Sequence, residues 1–271
     1  MNIQIRKSMS RFVSAVMMTV ASASVSLSAA DIDVAEIVRK ANHAAYYQGE
    51  NGKARVSMTI TDDQGRERSR EFTILRRDNS AEDLGQKFYV YFNRPADVNK
   101  TAFLVWKNPG KDDDRWLYLP ALDLVKRISA SDERTSFVGS HFFYEDVSGR
   151  NPDEDSHEIL EESSNYFVLK STPKNSSSVE FAYYKNWIHK STFIPVKTEF
   201  YDKAGQAYRT YEALKVEKFG EFPTVVQSRM SDRNIGGSTT MSYSKVEYDL
   251  DLPEDIFSER YLRAAPRSHL R

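Results

Sequence analysis

From Ala54 onward the chain alternates apolar and polar positions with the two-residue period of strands that bury one face. Residues 54–61 and 66–77 flank Asp62-Asp63-Gln64-Gly65, a turn signal. Further strand runs follow at 86–92, 101–106, 115–120 and 123–128, broken by Asn108-Pro109-Gly110 and by the corner Pro120-Ala121-Leu122-Asp123. A second series covers 156–161, 166–171, 179–184, 194–202, 206–216, 223–230 and 238–249, with short turns at 202–205 and 234–237. Ahead of the strands, Val34, Ile37, Val38, Ala41, Ala44 and Ala45 recur at helical spacing behind Asp31 or Asp33 as the cap. The apolar stripe of that helix is narrow and built from small side chains, so it can lie close against a sheet. Roughly eleven or more antiparallel strands in a meander accumulate twist, and the array curls into a barrel or a strongly bent sheet.

The alternation is not uniform. Residues 194–200 are regular, with Ile194, Val196, Thr198 and Phe200 inward and Lys197 and Glu199 outward. Between 86 and 128, by contrast, both faces are apolar. Trp116 and Tyr118 share one face while Leu117 and Leu119 share the other, and Tyr89 and Tyr91 oppose Phe88, Val90 and Phe92. Two readings fit: an ordinary core with two covered faces, or one face lining a cavity. Residues 132–155 are of a third kind. Phe137, Val138, Phe142, Phe143 and Tyr144 cluster around Gly139, too apolar to remain in water. This segment is expected to pack as short helical turns over the mouth of the sheet or inside its curve.

The N-terminus changes the picture by giving an address. Arg6, Lys7 and Arg11 precede a moderately apolar stretch, and Ser28-Ala29-Ala30 offers small residues before Asp31. That pattern predicts a secretory signal peptide over 1–30, cleaved between Ala30 and Asp31, with a single domain over 31–271 in the periplasm. There is no cysteine, so thiolate nucleophiles, thiolate metal sites and disulfides are excluded. Without the three basic residues of the leader, 35 of the 38 Lys and Arg stand against 39 Asp and Glu, a modest acidic excess that argues against nucleic acid as a partner.

Candidate chemistry is sparse. The chain has no G-x-S-x-G elbow, no H-E-x-x-H and no glycine-rich phosphate loop. His141 with Glu145 and Asp146 can be drawn as a metal or acid–base site, and Asp112-Asp113-Asp114 as a calcium site, but a solvated or structural role accounts for both. No metal, no cofactor and no enzymatic activity are expected.

The block from Arg115 to Val147 resembles the outer-membrane lipoprotein-sorting-protein-like family, periplasmic relatives of the lipoprotein carrier LolA. The shared pattern falls on Asp114, Trp116, Tyr118, Leu119, Pro120, Ala121, Arg127 and Ile128. It continues through Ser136, Phe137, Gly139, Ser140, Tyr144, Glu145 and Asp146, and His141 stands where an aspartate is expected. The resemblance implies an incompletely closed antiparallel β-barrel of about 11 strands wrapped around helices, with a hydrophobic concavity. It implies a carrier that binds a lipid, a lipoprotein acyl chain or another hydrophobic molecule and moves it between inner and outer membrane. An inner-membrane transporter and an outer-membrane acceptor would be further partners. The alternative is a cargo-free adaptor of an inner-membrane transporter of the resistance-nodulation-division type. Phe103, Trp116, Tyr118, Phe137, Phe142, Phe143 and Tyr144 are the expected lining or cover of the cavity. Arg127, Glu145 and Asp146 are expected to fix the covering segment, with Gly139 as its hinge.

Overall fold

A computed structural model describes residues 32–79, 83, 85–108 and 110–271. The proposed leader with Arg6, Lys7 and Arg11, the cleavage point, Asp31 and Pro109 lie outside the described residues. The first element is helix α1 (Val34–Asn42), which runs into a π-helical turn at His43–Tyr47. Asp33 occupies the cap position but its side chain makes no capping bond. The helix buries Ile37 and Ala41.

Six strands follow: β1 (Asn51–Thr61), β2 (Glu67–Asp78), β3 (Gln86–Arg94), β4 (Ala102–Lys107), β5 (Asp114–Leu119) and β6 (Leu124–Ile128). After a connecting segment that holds helix α2 (Tyr144–Ser148) come β7 (Asp155–Glu162), β8 (Tyr166–Pro173), β9 (Tyr183–His189), β10 (Pro195–Tyr201), β11 (Ala207–Phe219), β12 (Phe222–Asp232) and β13 (Ser238–Tyr248). The tail carries helix α3 (Arg260–Arg263). All 13 strands join one antiparallel sheet in the order β6-β5-β4-β3-β2-β1-β13-β12-β11-β10-β9-β8-β7. The first and last strands pair at its centre, and β6 and β7, consecutive in sequence, are its two free edges. The fold is therefore an open barrel-like sheet whose edges are joined by the apolar segment 129–154.

One strand lies elsewhere than the pattern placed it. The run 179–184 is apolar, yet the strand starts at Tyr183 and continues through Lys185, Asn186 and Trp187. Phe181 sits in a small aromatic cluster with Tyr184, Phe200 and Tyr208.

The greasy strands between 86 and 128 are explained by two separate covers. On one face Phe88, Val90, Phe92, Phe103, Val105 and Leu117 pack with Phe137, Phe142 and Tyr144 of the connecting segment. On the other, Tyr89, Ala102, Leu104 and Trp116 pack with Leu252, Ile256, Phe257, Leu262 and Leu270 of the tail. Polar ends are satisfied there too: Tyr89 Oη donates to the Tyr261 carbonyl and Trp106 Nε1 to that of Phe257, both at 2.7 Å. Each face buries large side chains worth about 1.5–3 kcal/mol apiece, so this half of the sheet is solid core.

The hairpin between β12 and β13 closes against the first hairpin with little room. Gly237 has φ +85°, and a Cβ there would stand 2.2 Å from the Thr61 carbonyl oxygen. Gly237→Ala is expected to lower stability by about 1–3 kcal/mol, a drop of several degrees in melting temperature by circular dichroism. An unchanged melting curve would show that this contact does not constrain the hairpin.

Candidate functional site

The connecting segment does not span an empty barrel. Phe137 is fully buried and stacks edge-on against Phe72, Phe103 and Tyr144 at 5.6–6.1 Å. Phe137 N donates to the Phe142 carbonyl at 2.7 Å, and Ser136 Oγ to that of Ser140 at 2.6 Å, which closes a tight loop. This loop fills the concave side under β2–β5.

The other half of the concave side is hollow. A half-enclosed cavity of about 380 Å³ lies under α1, walled by β8–β13 and the near ends of β1–β3. Val38, Ala41 and Ala45 reach it from the helical region, and Leu169, Ile188, Phe200, Val225, Met230 and Met241 from the sheet. Its size is that of a small-molecule site, about 300–1,000 Å³, and its wall is mainly apolar. Ala41 of α1 and Ala45 of the π-helical turn matter because each leaves open space that a larger side chain would occupy.

One side of the cavity is closed by an ionic lattice that also pins the connecting segment. Arg134 donates to Glu145 and, at 2.6 and 2.7 Å, to Glu180. Arg150 donates to Glu145 at 2.9 Å and to Asp155 at 2.9–3.2 Å. Arg209 of β11 donates to Asp146 and, at 2.9 Å, to the His141 carbonyl. Its guanidinium lies 3.9 Å from the centre of the Phe143 ring, and that of Arg134 stands 5.2 Å from the same ring. Burial works against the charge of Arg134, but its hydrogen bonds to Glu180 and the charge of Glu145 raise its pKa above the ordinary guanidinium range. Arg150 is held high in the same way by Asp155 and Glu145. Burial, with Glu145, Glu154 and Asp113 nearby, pushes Glu133 up to about 7 despite its 2.6 Å bond from Arg115. Glu133, Glu145 and Glu154 bring carboxylate oxygens within 4.8 Å of one another, but the arginines already occupy them.

The expected site residues divide accordingly. Phe142, Glu145 and Asp146 line the cavity. Phe103, Phe137 and Tyr144 belong to the solid half, and Phe143 serves as the platform under two arginines. Trp116 and Tyr118 face the tail on the opposite side of the sheet and do not reach the cavity. Arg127 is exposed on the edge strand, paired with Asp114, and takes no part in fixing the segment; Arg134, Arg150 and Arg209 do that. Gly139 keeps a left-handed backbone, φ +76°, with open space around it. His141 is held at both ring nitrogens: Nδ1 meets Thr239 Oγ1 at 2.8 Å and Nε2 the Gly236 carbonyl at 2.9 Å. Asp113 and Asp114 are taken by Arg115 and Arg127. The pattern did not single out Tyr46, Tyr211, Ser228 and Tyr243, which also line the cavity.

A family model whose description reads only "uncharacterized protein" matches residues 85–264, well over half of the chain. A DUF1329 family protein from Desulfovibrio piger is 27% identical, covering 83% of this chain and 95% of that one, with a TM-score of 0.76. A putative outer membrane lipoprotein-sorting protein domain from Vibrio parahaemolyticus is also 27% identical, covering 84% and 97%, at a TM-score of 0.76. The chain belongs to the outer-membrane lipoprotein-sorting-protein-like family. A LolA superfamily protein from Nitrosomonas europaea, 21% identical over 85% of this chain and 99% of that one, shares the fold at a TM-score of 0.65. No curated protein matches. The family fold is the open sheet described above, and in this member one half of its concave side is packed and the other left hollow.

Proposed function

We propose that the protein is a periplasmic carrier that holds the apolar part of a lipid or lipoprotein in the cavity under α1 and passes it between the inner and outer membranes. The observation that carries this reading is the hollow half of the sheet, an apolar recess of about 380 Å³ that the described residues do not fill with their side chains. An acyl chain entering it gains about 0.8 kcal/mol for each methylene removed from water. The likeness to a lipoprotein-sorting domain and the predicted signal peptide support the compartment and the class of cargo.

Entry is easiest past α1. Lifting that helix exposes Ile37 and Ala41. Withdrawing the 136–148 segment, with Gly139 as hinge, would expose Phe137, Phe142 and Tyr144 and break three buried arginine–carboxylate contacts. The second cost is several-fold the first. In this carrier the helix opens and the segment is wall.

The test is purification from the periplasm without detergent, followed by native mass spectrometry. A mass excess that disappears on solvent extraction is the expected result. A chain that is empty at every preparation yet retains an inner-membrane transporter would replace the carrier with the adaptor.

A further inference from the structure

The apolar cavity carries a group of neutral hydroxyls on its wall, and that group selects what a cargo can present to it. We propose that the cargo carries an uncharged hydroxyl or ester group seated on Tyr46, Tyr211, Tyr243 and Ser228, and that the cavity turns away anionic heads. This rests on the carrier reading and names its cargo class.

Tyr46 comes from the π-helical turn after α1, Tyr211 from β11, Ser228 from β12 and Tyr243 from β13. Adjacent strands thus bring three of these groups to one region of the wall beneath the turn. Tyr211, Ser228 and Tyr243 all line the cavity, and Ser228 partly offsets the effect of burial on both phenols. Among the described residues the hydrogen-bond partner of Tyr243 Oη is the Met241 thioether, at 3.5 Å, a weak acceptor. Burial raises all three phenols above their ordinary range, to about 12 for Tyr243, so they remain neutral and able to donate. A carbonyl or hydroxyl oxygen on the cargo is a better acceptor than the sulfur.

An anion finds no such partner. Among the described residues four Lys and Arg side chains line the wall, and each is already committed. Lys53 Nζ meets Glu247 at 2.8 Å, and Arg76 meets Asp78 at 3.0 Å and the Tyr46 carbonyl at 2.8 Å. Arg134 and Arg150 are held by Glu145, Glu180 and Asp155. Glu145 and Asp146 themselves form part of the wall. A carboxylate or phosphate placed here would be desolvated beside these acids with no unpaired cation among the described residues to meet it.

Displacement of N-phenyl-1-naphthylamine, a neutral apolar fluorophore, measures the preference. Monoolein, oleate and 1-oleoyl-lysophosphatidate compete at pH 8, each below its critical micelle concentration, so the hydrocarbon is constant and only the head varies. Monoolein should displace the probe at about tenfold lower concentration than either anion. In Tyr211→Phe/Tyr243→Phe that ratio should fall toward one, and Ser228→Ala provides an independent variant should the double substitution fail to fold. Equal displacement by all three lipids, or better displacement by the anions, overturns the inference while the bound probe keeps the carrier reading. A preference undiminished in the variants overturns the assignment to these tyrosines. Absence of probe binding removes the carrier reading and this inference with it.

Discussion

Arg209→Met is expected to destabilise the protein by about 3–5 kcal/mol. Arg209 is fully buried on β11 and is the strand's one strong tie to the connecting segment. Methionine keeps much of its length and apolar stem, so packing changes little. What is lost is the partner of Asp146, a donor to the His141 carbonyl, and the cation over Phe143. The large cost arises because Asp146 stays behind with its charge in a poorly hydrated place. For a domain of this size the melting temperature should fall by about 10 °C. Asp146→Asn tests the cause, since the amide oxygen can still accept from Phe143 N at the start of α2. If an abandoned charge is the main term, Arg209→Met/Asp146→Asn should be less destabilised than the two single changes added together, by about 0.5–3 kcal/mol. Strict additivity would mean that Arg209 acts through packing and its carbonyl bond alone.

The same lattice shows what the sequence could and could not convey. Glu145 and Asp146 stand out as acids in an apolar stretch, and two of their partners, Arg134 and Arg150, lie close by in the chain. Arg209 is 63 residues away and sits in a strand whose polar residues otherwise point outward in the pattern, so nothing local marks it. Strand positions were legible because Asp, Gly and Pro punctuate a two-residue period, which follows from backbone geometry alone. The exception, β9, is instructive. Asn186 points into the cavity and accepts from Thr198 Oγ1 at 2.6 Å, so an inward position is polar and the alternation is lost. A strand facing a hollow need not alternate.

The same physics separates the two readings of the strands between 86 and 128. These are the most aromatic strands of the chain, a composition that suits either an oily trough or a core. They are greasy on both faces because both faces are covered by the chain itself, one by the 136–148 segment and the other by the tail. Dense large side chains fill space. Open space is left by small ones, and those signals were Ala41 and Ala45 on the helix and Ser171 and Ser228 on the strands. The open-barrel class was readable from strand number and the lack of helices, but which half is hollow depends on which segment folds back over it.

Ala41→Phe should abolish cargo retention while leaving the fold intact, and it measures the hollow directly. Ala41 is buried on α1 and lines the cavity. A phenyl ring placed there takes up room that about four methylenes of an acyl chain would use. At about 0.8 kcal/mol per methylene this removes about 3 kcal/mol of binding, which weakens retention by about two orders of magnitude. Stability separates two physical situations. In a packed core the added ring would force neighbours off their rotamers and cost about 1–3 kcal/mol. In an unfilled recess the ring gains contacts instead, so the melting temperature of delipidated protein should hold or rise. Native mass spectrometry of the variant from the periplasm should therefore show the bare chain mass, and calorimetry an unchanged or higher transition. A variant that still carries its cargo would show that the bound chain runs elsewhere. One that melts much earlier would show that no usable space exists beneath α1.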